Sequence, residues 1–219
     1  MAMKTKAAIF LNGAYPPDHS YFYINEYKKA GEDSVVITVD GGLQFFLNHK
    51  LNPDLIIGDW DSADLEIVKS YPKAVTIGIP AEGKDYTDTE LALEWCVKNN
   101  IEDVILYGGV DNTFETDQLL GNICLLFAYK DKLNSIKMLD YCQEILPFVD
   151  EEISGIGKAG DMISVVPMAD QITLSGDGLA YDPGGKVYKF GQTTSMRNQL
   201  IGGPFSFKVK GRAALIRHF

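Results

Sequence analysis

Five short apolar runs, each followed by a segment with helical spacing, dominate residues 1–139 and limit what this chain can become. The runs are 7–11, 34–39, 54–57, 74–79 and 103–107. Most are continuous and rich in Val and Ile, the composition of strands covered on both faces. Helical patterns occupy 21–30, 42–49, 64–70, 88–98 and 117–129. Strands alternating with helices predict a three-layer α/β domain with a mostly parallel sheet.

After Leu139 the pattern changes. No segment has convincing helical spacing, and strand-like pieces follow at 141–146, 162–166, 172–175, 187–190, 205–210 and 213–217. Gly and Pro punctuate them, as in Gly176-Asp177-Gly178 and Asp182-Pro183-Gly184-Gly185. Short strands with regular turns predict an all-β sandwich or small barrel. The expected organisation is an α/β domain over 1–139 and a β-sandwich domain over 140–219.

Charge narrows the function classes. Twenty Lys and Arg against 30 Asp and Glu give a net charge of −10, which argues against a nucleic-acid binder. An anionic ligand remains compatible, because a metal ion supplies local positive charge. Three cysteines without a CxxC pair read as reduced thiols in a cytoplasmic protein. The first apolar run is too short for a secretory leader, and no run is long enough to span a membrane. His19, His49 and His218 form no ligand set, and no GxxxxGK[ST] loop occurs.

Ligands of open parallel sheets collect beyond the carboxyl ends of the strands. Three acidic clusters fall there: Asp40-Gly41-Gly42, the stretch GDWDS at 58–62 with Asp59 and Asp61, and GKDYTDTE at 83–90 with Asp85 and Asp88. Each has a plain structural reading. Asp-Gly after a strand reads as a turn, with Gly supplying positive φ. Asp61 or Ser62 reads as a helix cap. Thr87 and Glu90 form a T-x-x-E capping box, leaving Asp88 as first-turn charge. Together, however, five carboxylates at one sheet edge repel strongly unless a cation shares them. Hard oxygen ligands of this kind select Mg²⁺ or Mn²⁺, and Mg²⁺ typically bridges one or two carboxylates to substrate phosphates. Glycines such as Gly41 let backbone approach a phosphate, and Lys84 offers it a point charge. The expected chemistry is Mg²⁺-assisted transfer from a nucleoside triphosphate.

These motifs resemble the thiamine pyrophosphokinase family along most of the chain. Asp40-Gly41-Gly42, GDWDS at 58–62, and Asp85-Tyr86-Thr87-Asp88 follow the family's D-G-G, G-D-x-D-S and D-x-T-D in order. Asp117-Gln118 with Asn122 looks like its D-Q/H-x-x-x-N segment, and FGQTTSMRN at 190–198 is similar to its C-terminal serine loop. The resemblance implies a homodimer, with thiamine between one subunit's α/β domain and the other's β domain. It implies transfer of a pyrophosphoryl group from ATP to the thiamine hydroxyl, leaving AMP. Asp59, Asp61 and Asp88 are then the expected Mg²⁺ ligands, with Asp40 close by. Lys84, Asp85 and Thr87 are expected on the phosphate or metal side. Asp117, Gln118, Asn122, Ser195 and Asn198 are expected near thiamine or the nucleotide. A carboxylate at the metal site is a candidate for taking the hydroxyl proton, and the residues do not single one out.

Two positions depart from the pattern. Glu115 stands where the family carries a phosphate-binding arginine, and Arg197 stands where it carries a serine. Arg197 is the candidate for the missing cation, and a surface arginine is the plain alternative. The alternatives in function are a pyrophosphokinase for another alcohol, such as a pterin, and a nucleotide- or thiamine-binding protein without catalysis. Trp60 reads equally as a wall of the site or as packing beneath it.

Overall fold

The computed structural model describes residues 4–31, 33–58, 64–78, 86–110 and 116–219. They fall into two compact units, Met1–Tyr141 and Cys142–Phe219.

In the first unit strands and helices alternate: β1 (Lys6–Phe10), α1 (Ser20–Ala30), β2 (Ser34–Val39), α2 (Gly42–His49), β3 (Leu55–Gly58), α3 (Asp64–Val68), β4 (Val75–Gly78), α4 (Asp88–Lys98), β5 (Asp103–Tyr107), α5 (Thr116–Tyr129) and β6 (Ser135–Leu139). The strands pair in parallel in the order β6-β5-β1-β2-β3-β4. The chain therefore starts mid-sheet, steps outward through β2, β3 and β4, and returns to lay β5 and β6 on the other side of β1. The winding direction reverses between β1 and β5, where a crevice opens beyond the carboxyl ends of the strands.

Burial follows from that order. Central β1 buries Ala7, Ala8, Ile9 and Phe10. The Phe10 ring meets Phe46 edge-on at 4.9 Å and stacks on Tyr107 at 4.8 Å. A side chain of this kind contributes about 1.5–3 kcal/mol on full burial. Strand β4 differs from the expectation of two covered faces: it is largely exposed, with Val75 63% accessible. Among the described residues it pairs only with β3, at the rim of the sheet, so its Val and Ile reflect strand propensity, not burial.

The second unit is all-β: β7 (Gln143–Val149), β8 (Glu152–Gly157), β9 (Met162–Pro167), β10 (Gln171–Asp177), β11 (Lys186–Lys189), β12 (Asn198–Gln199), β13 (Gly203–Lys210) and β14 (Arg212–His218). Within it the strands pair in the orders β12-β9-β14-β7 and β11-β10-β13-β8. Alternate residues of β9 (Ile163, Val165), β10 (Ile172, Leu174), β13 (Phe205, Phe207) and β14 (Ala213, Leu215) fill one core between the two layers. Among the described residues, no helix is long and apolar enough to cross a membrane.

Candidate functional site

At the winding reversal a cavity of about 520 Å³ opens. Leu11 and Asn12 reach it from the end of β1, Val39 and Asp40 from β2, and Gly108 and Gly109 from β5. The residues from Tyr86 to Glu90 at the start of α4, with Gln118 and Asn122 on α5, complete it. Gln118 and Asn122 are four residues apart and so share one face of their helix.

Close backbone contacts shape this end of the sheet. A Cβ on Gly13 would stand 1.6 Å from the carbonyl oxygen of Gly108, so the loops after β1 and β5 are in direct contact. Gly108 has φ +72° and lies against the hydroxyl end of Tyr15, whose Cζ and Oη would each stand 2.5 Å from a Cβ there. The Tyr15 hydroxyl donates to Leu11 O at 2.7 Å, and it reaches Tyr107 O at 3.4 Å. It thus ties together the ends of the two strands that flank the reversal. Burial, and then the nearby Asp140 carboxylate, push the Tyr15 phenol well above its ordinary range, so it remains a donor.

The Asp-Gly-Gly turn departs from its plain reading. Asp40, not a glycine, takes the left-handed conformation (φ 45°), while Gly41 has φ −59°. Asp is one of the few side chains that tolerate this region. The glycines serve close approach instead. A Cβ on Gly41 would lie 2.1 Å from Asn12 Oδ1, and one on Gly42 would lie 2.3 Å from Phe10 O.

At the head of α4, Thr87 caps the helix by accepting from the Glu90 backbone N–H at 3.2 Å. Asp88 follows in the first turn, buried, and lines the cavity as well. It therefore serves both readings, as helix-terminal charge and as a wall of the site. Among the described residues the cavity lining holds the carboxylates of Asp40, Asp88 and Glu90 and no lysine, arginine or histidine. Among those residues no group of three His, Cys, Asp or Glu side chains forms a ready metal cluster.

The expected residues divide accordingly. Asp40, Thr87, Asp88, Gln118 and Asn122 line this cavity, and Gly41 borders it through Asn12. Asp117 is exposed in the first turn of α5 and is not among the lining residues. Asp59, Trp60, Asp61, Lys84, Asp85 and Glu115 lie outside the described residues.

Ser195, Arg197 and Asn198 belong to the second unit, where Ser195 and Asn198 line a separate cavity of about 390 Å³. Both are engaged with backbone. Ser195 is buried and its hydroxyl donates to Val165 O at 2.7 Å. Asn198 Oδ1 accepts from the Tyr181 N–H at 3.0 Å, and Nδ2 donates to Tyr181 O at 2.6 Å. Arg197 is exposed with φ 55°; its backbone N–H donates to Ser164 Oγ at 2.9 Å and its guanidinium to Met162 Sδ at 3.3 Å. Burial, and secondarily Arg197, lower the His218 imidazole below its usual value.

Sequence reasoning missed Asn12, Gly108 and Gly109 in the first cavity, and Tyr181, Asp182 and Tyr188 in the second. For the first set a signal existed. Asn12-Gly13 and Gly108-Gly109 follow two strand runs at their carboxyl ends, the rule that selected Asp40.

Comparison with known proteins gives a consistent family. The catalytic-domain model of thiamin pyrophosphokinase matches residues 27–138. The thiamine pyrophosphokinase of Bacillus subtilis (strain 168) is 29% identical over 192 residues, covering 85% of this chain and 88% of that protein. The crystal structure of thiamine pyrophosphokinase from Bacillus subtilis matches with a TM-score of 0.78 at 25% identity, covering 97% of this chain and 98% of that one. The structure from Geobacillus thermodenitrificans gives 0.79 at 25% identity, over 98% and 97%.

Proposed function

Because the chain belongs to the thiamin pyrophosphokinase family of kinase-type transferases, we propose that it moves a pyrophosphoryl group from ATP to thiamine. The hydroxyl oxygen of thiamine gives its proton to a carboxylate of the site and bonds to the β-phosphorus, while the bond from that phosphorus to the α,β-bridging oxygen breaks. AMP and thiamine diphosphate are the products. The observation that supports this reading best is the one cavity at the winding reversal, which gathers Asp40, Thr87, Asp88, Gln118 and Asn122.

The donor chemistry fits Mg²⁺: carboxylate oxygens are hard ligands, and the described lining offers no side-chain cation to balance a polyphosphate. Asp59, Asp61 and Asp88 are the residues proposed to hold the ion, with Asp40 beside them. When bound, Mg²⁺ would supply charge neutralisation at the phosphate oxygens. The α4 N-terminus, with its backbone N–H groups and partial positive charge, favours an anion there only when the Asp88 and Glu90 carboxylates are themselves neutralised. Lys84 and Asp85 are assigned to the phosphate or metal side. Gln118 and Asn122 present amides that orient substrate, and Asp117, Ser195 and Asn198 are assigned near thiamine or the nucleotide. A homodimer in the cytoplasm completes the proposal, with exposed Arg197 as the cation that replaces the family arginine at Glu115.

Incubation with ATP, Mg²⁺ and thiamine tests the reading, with AMP and thiamine diphosphate separated by chromatography. Thiamine-dependent AMP release is expected. AMP release with a pterin alcohol but not with thiamine, or binding without turnover, overturns it. For Arg197, an unchanged ATP affinity in Arg197→Met removes its assigned role.

A further inference from the structure

Asn12 lies beyond the carboxyl end of β1, beside the winding reversal, and its position is set by its neighbours. Gly41 carries only hydrogen where a Cβ would stand 2.1 Å from Asn12 Oδ1 and 2.9 Å from its Cγ, against 3.5 Å from Nδ2. The oxygen end of the carboxamide therefore packs on Gly41, and the amino end is turned away from it. Asn12 and Asp40, the residue before Gly41, line the same cavity.

The described lining is rich in acceptors. When ionised, Asp40, Asp88 and Glu90 can only accept, so a polyanion entering there needs donors from other groups. A lysine at position 12 would pair with Asp40 and compete for the carboxylate. A neutral amide donates to a phosphate oxygen without competing for the carboxylates. We propose that Asn12 is a phosphate-binding residue, donating through Nδ2 to a phosphate oxygen of the nucleoside triphosphate. This assignment rests on the function proposed above, and Gly41 is the residue that positions it.

The test uses the full-length protein and two readouts: the steady-state constants for ATP and thiamine, and calorimetric titration with a non-hydrolysable ATP analogue and Mg²⁺ in the absence of thiamine. Loss of a hydrogen bond to a charged group weakens binding by roughly tenfold or more. Asn12→Ala is therefore expected to raise the ATP KM and the analogue Kd by about tenfold, with the thiamine KM unchanged and the unfolding midpoint retained. Asn12→Asp, the same shape without the donor, is expected to be worse than Asn12→Ala. Gly41→Ala displaces the amide and is expected to reproduce the loss, and adding it to Asn12→Ala should cost little more, because the two act through one contact. Unchanged analogue affinity in Asn12→Ala overturns the assignment. So does Asn12→Asp binding as well as the native chain, since a carboxylate can accept from metal-bound water but cannot donate to phosphate. If the native chain binds the analogue but releases no thiamine-dependent AMP, the acceptor assignment fails while the Asn12 comparison still reads phosphate binding.

Discussion

Gly13 and Gly108 meet where the first and fifth strands end, so close that a single added carbon on Gly13 would stand 1.6 Å from the Gly108 carbonyl oxygen. Backbone on both sides leaves nothing to swing aside. Gly13→Ala is expected to lose about 2 kcal/mol or more, in line with or beyond ordinary overpacking. It should also lower ligand affinity, because the cavity walls at Asn12 and Gly109 are displaced with the loops. Chemical denaturation beside analogue titration checks both. A native-like midpoint would show that the two loops are free to separate.

Asp88 is buried at the head of α4 and lines the site. Asp88→Asn keeps the shape and removes the charge. Loss of even an outer-shell partner of a metal site costs about 10–100-fold, so this variant is expected to lose at least that much activity. A higher Mg²⁺ concentration should be needed for half-maximal rate. Titrating activity against Mg²⁺ is the measurement, and an unaltered Mg²⁺ requirement sinks the metal assignment.

Asn198 closes a two-way clamp on the backbone of Tyr181. Asn198→Ala strips both of these hydrogen bonds and the one that Oδ1 accepts from Gln199 N–H, and at about 1 kcal/mol for each bond to Tyr181 the expected loss is ~2 kcal/mol or more. Hydrogen exchange should accelerate around residues 179–183 before it changes elsewhere. Full stability with unchanged exchange at residues 179–183 would show that this clamp does not hold the loop.

Alkaline pH should unfold this chain early. Burial raises the phenols of Tyr15, Tyr107 and Tyr129 above the ordinary 10.0, with Asp140, Glu26 and Glu94 respectively adding to it. Burial also raises the Cys96 thiol from 9.0 to about 12. Unfolded, these groups release protons near their ordinary values; folded, they hold them. The unfolded chain then binds fewer protons, so stability is full below about pH 9 and falls as pH rises. Denaturant midpoints between pH 8 and 11 test this. Tyr107→Phe is expected to flatten the fall, and a flat native profile would contradict it.

The central strands and their order along the chain were legible because burial on both faces leaves continuous apolar runs, as in β2 at 34–39 and β5 at 103–107. Strand β6 was not, because Ile136 and Met138 alternate with Ser135 and Lys137 and give no such run. Strand β8 carries two glycines in six residues, which hides its strand propensity. The strand-like piece expected at 141–146 differs from β7, which begins at Gln143 and runs through Pro147, opposite Ala214, to Val149. At the site, side chains with obvious chemistry stood out in the sequence. Asn12 did not, because its importance comes from where β1 lies in the sheet, and periodicity does not encode spatial order.

The order β6-β5-β1-β2-β3-β4 also bears on when the site comes into being. Leu11, Asp40 and Asp88 arrive from three separate crossovers and Gly109 and Asn122 from a fourth, and β5 must close against β1 across most of the first unit. Pairings between distant segments bear their loop-closure entropy before they return any contact energy. A nascent chain emerging only as far as α4 thus has its aspartates but no crevice to hold them, and nucleotide capture becomes a report that the whole sheet has closed.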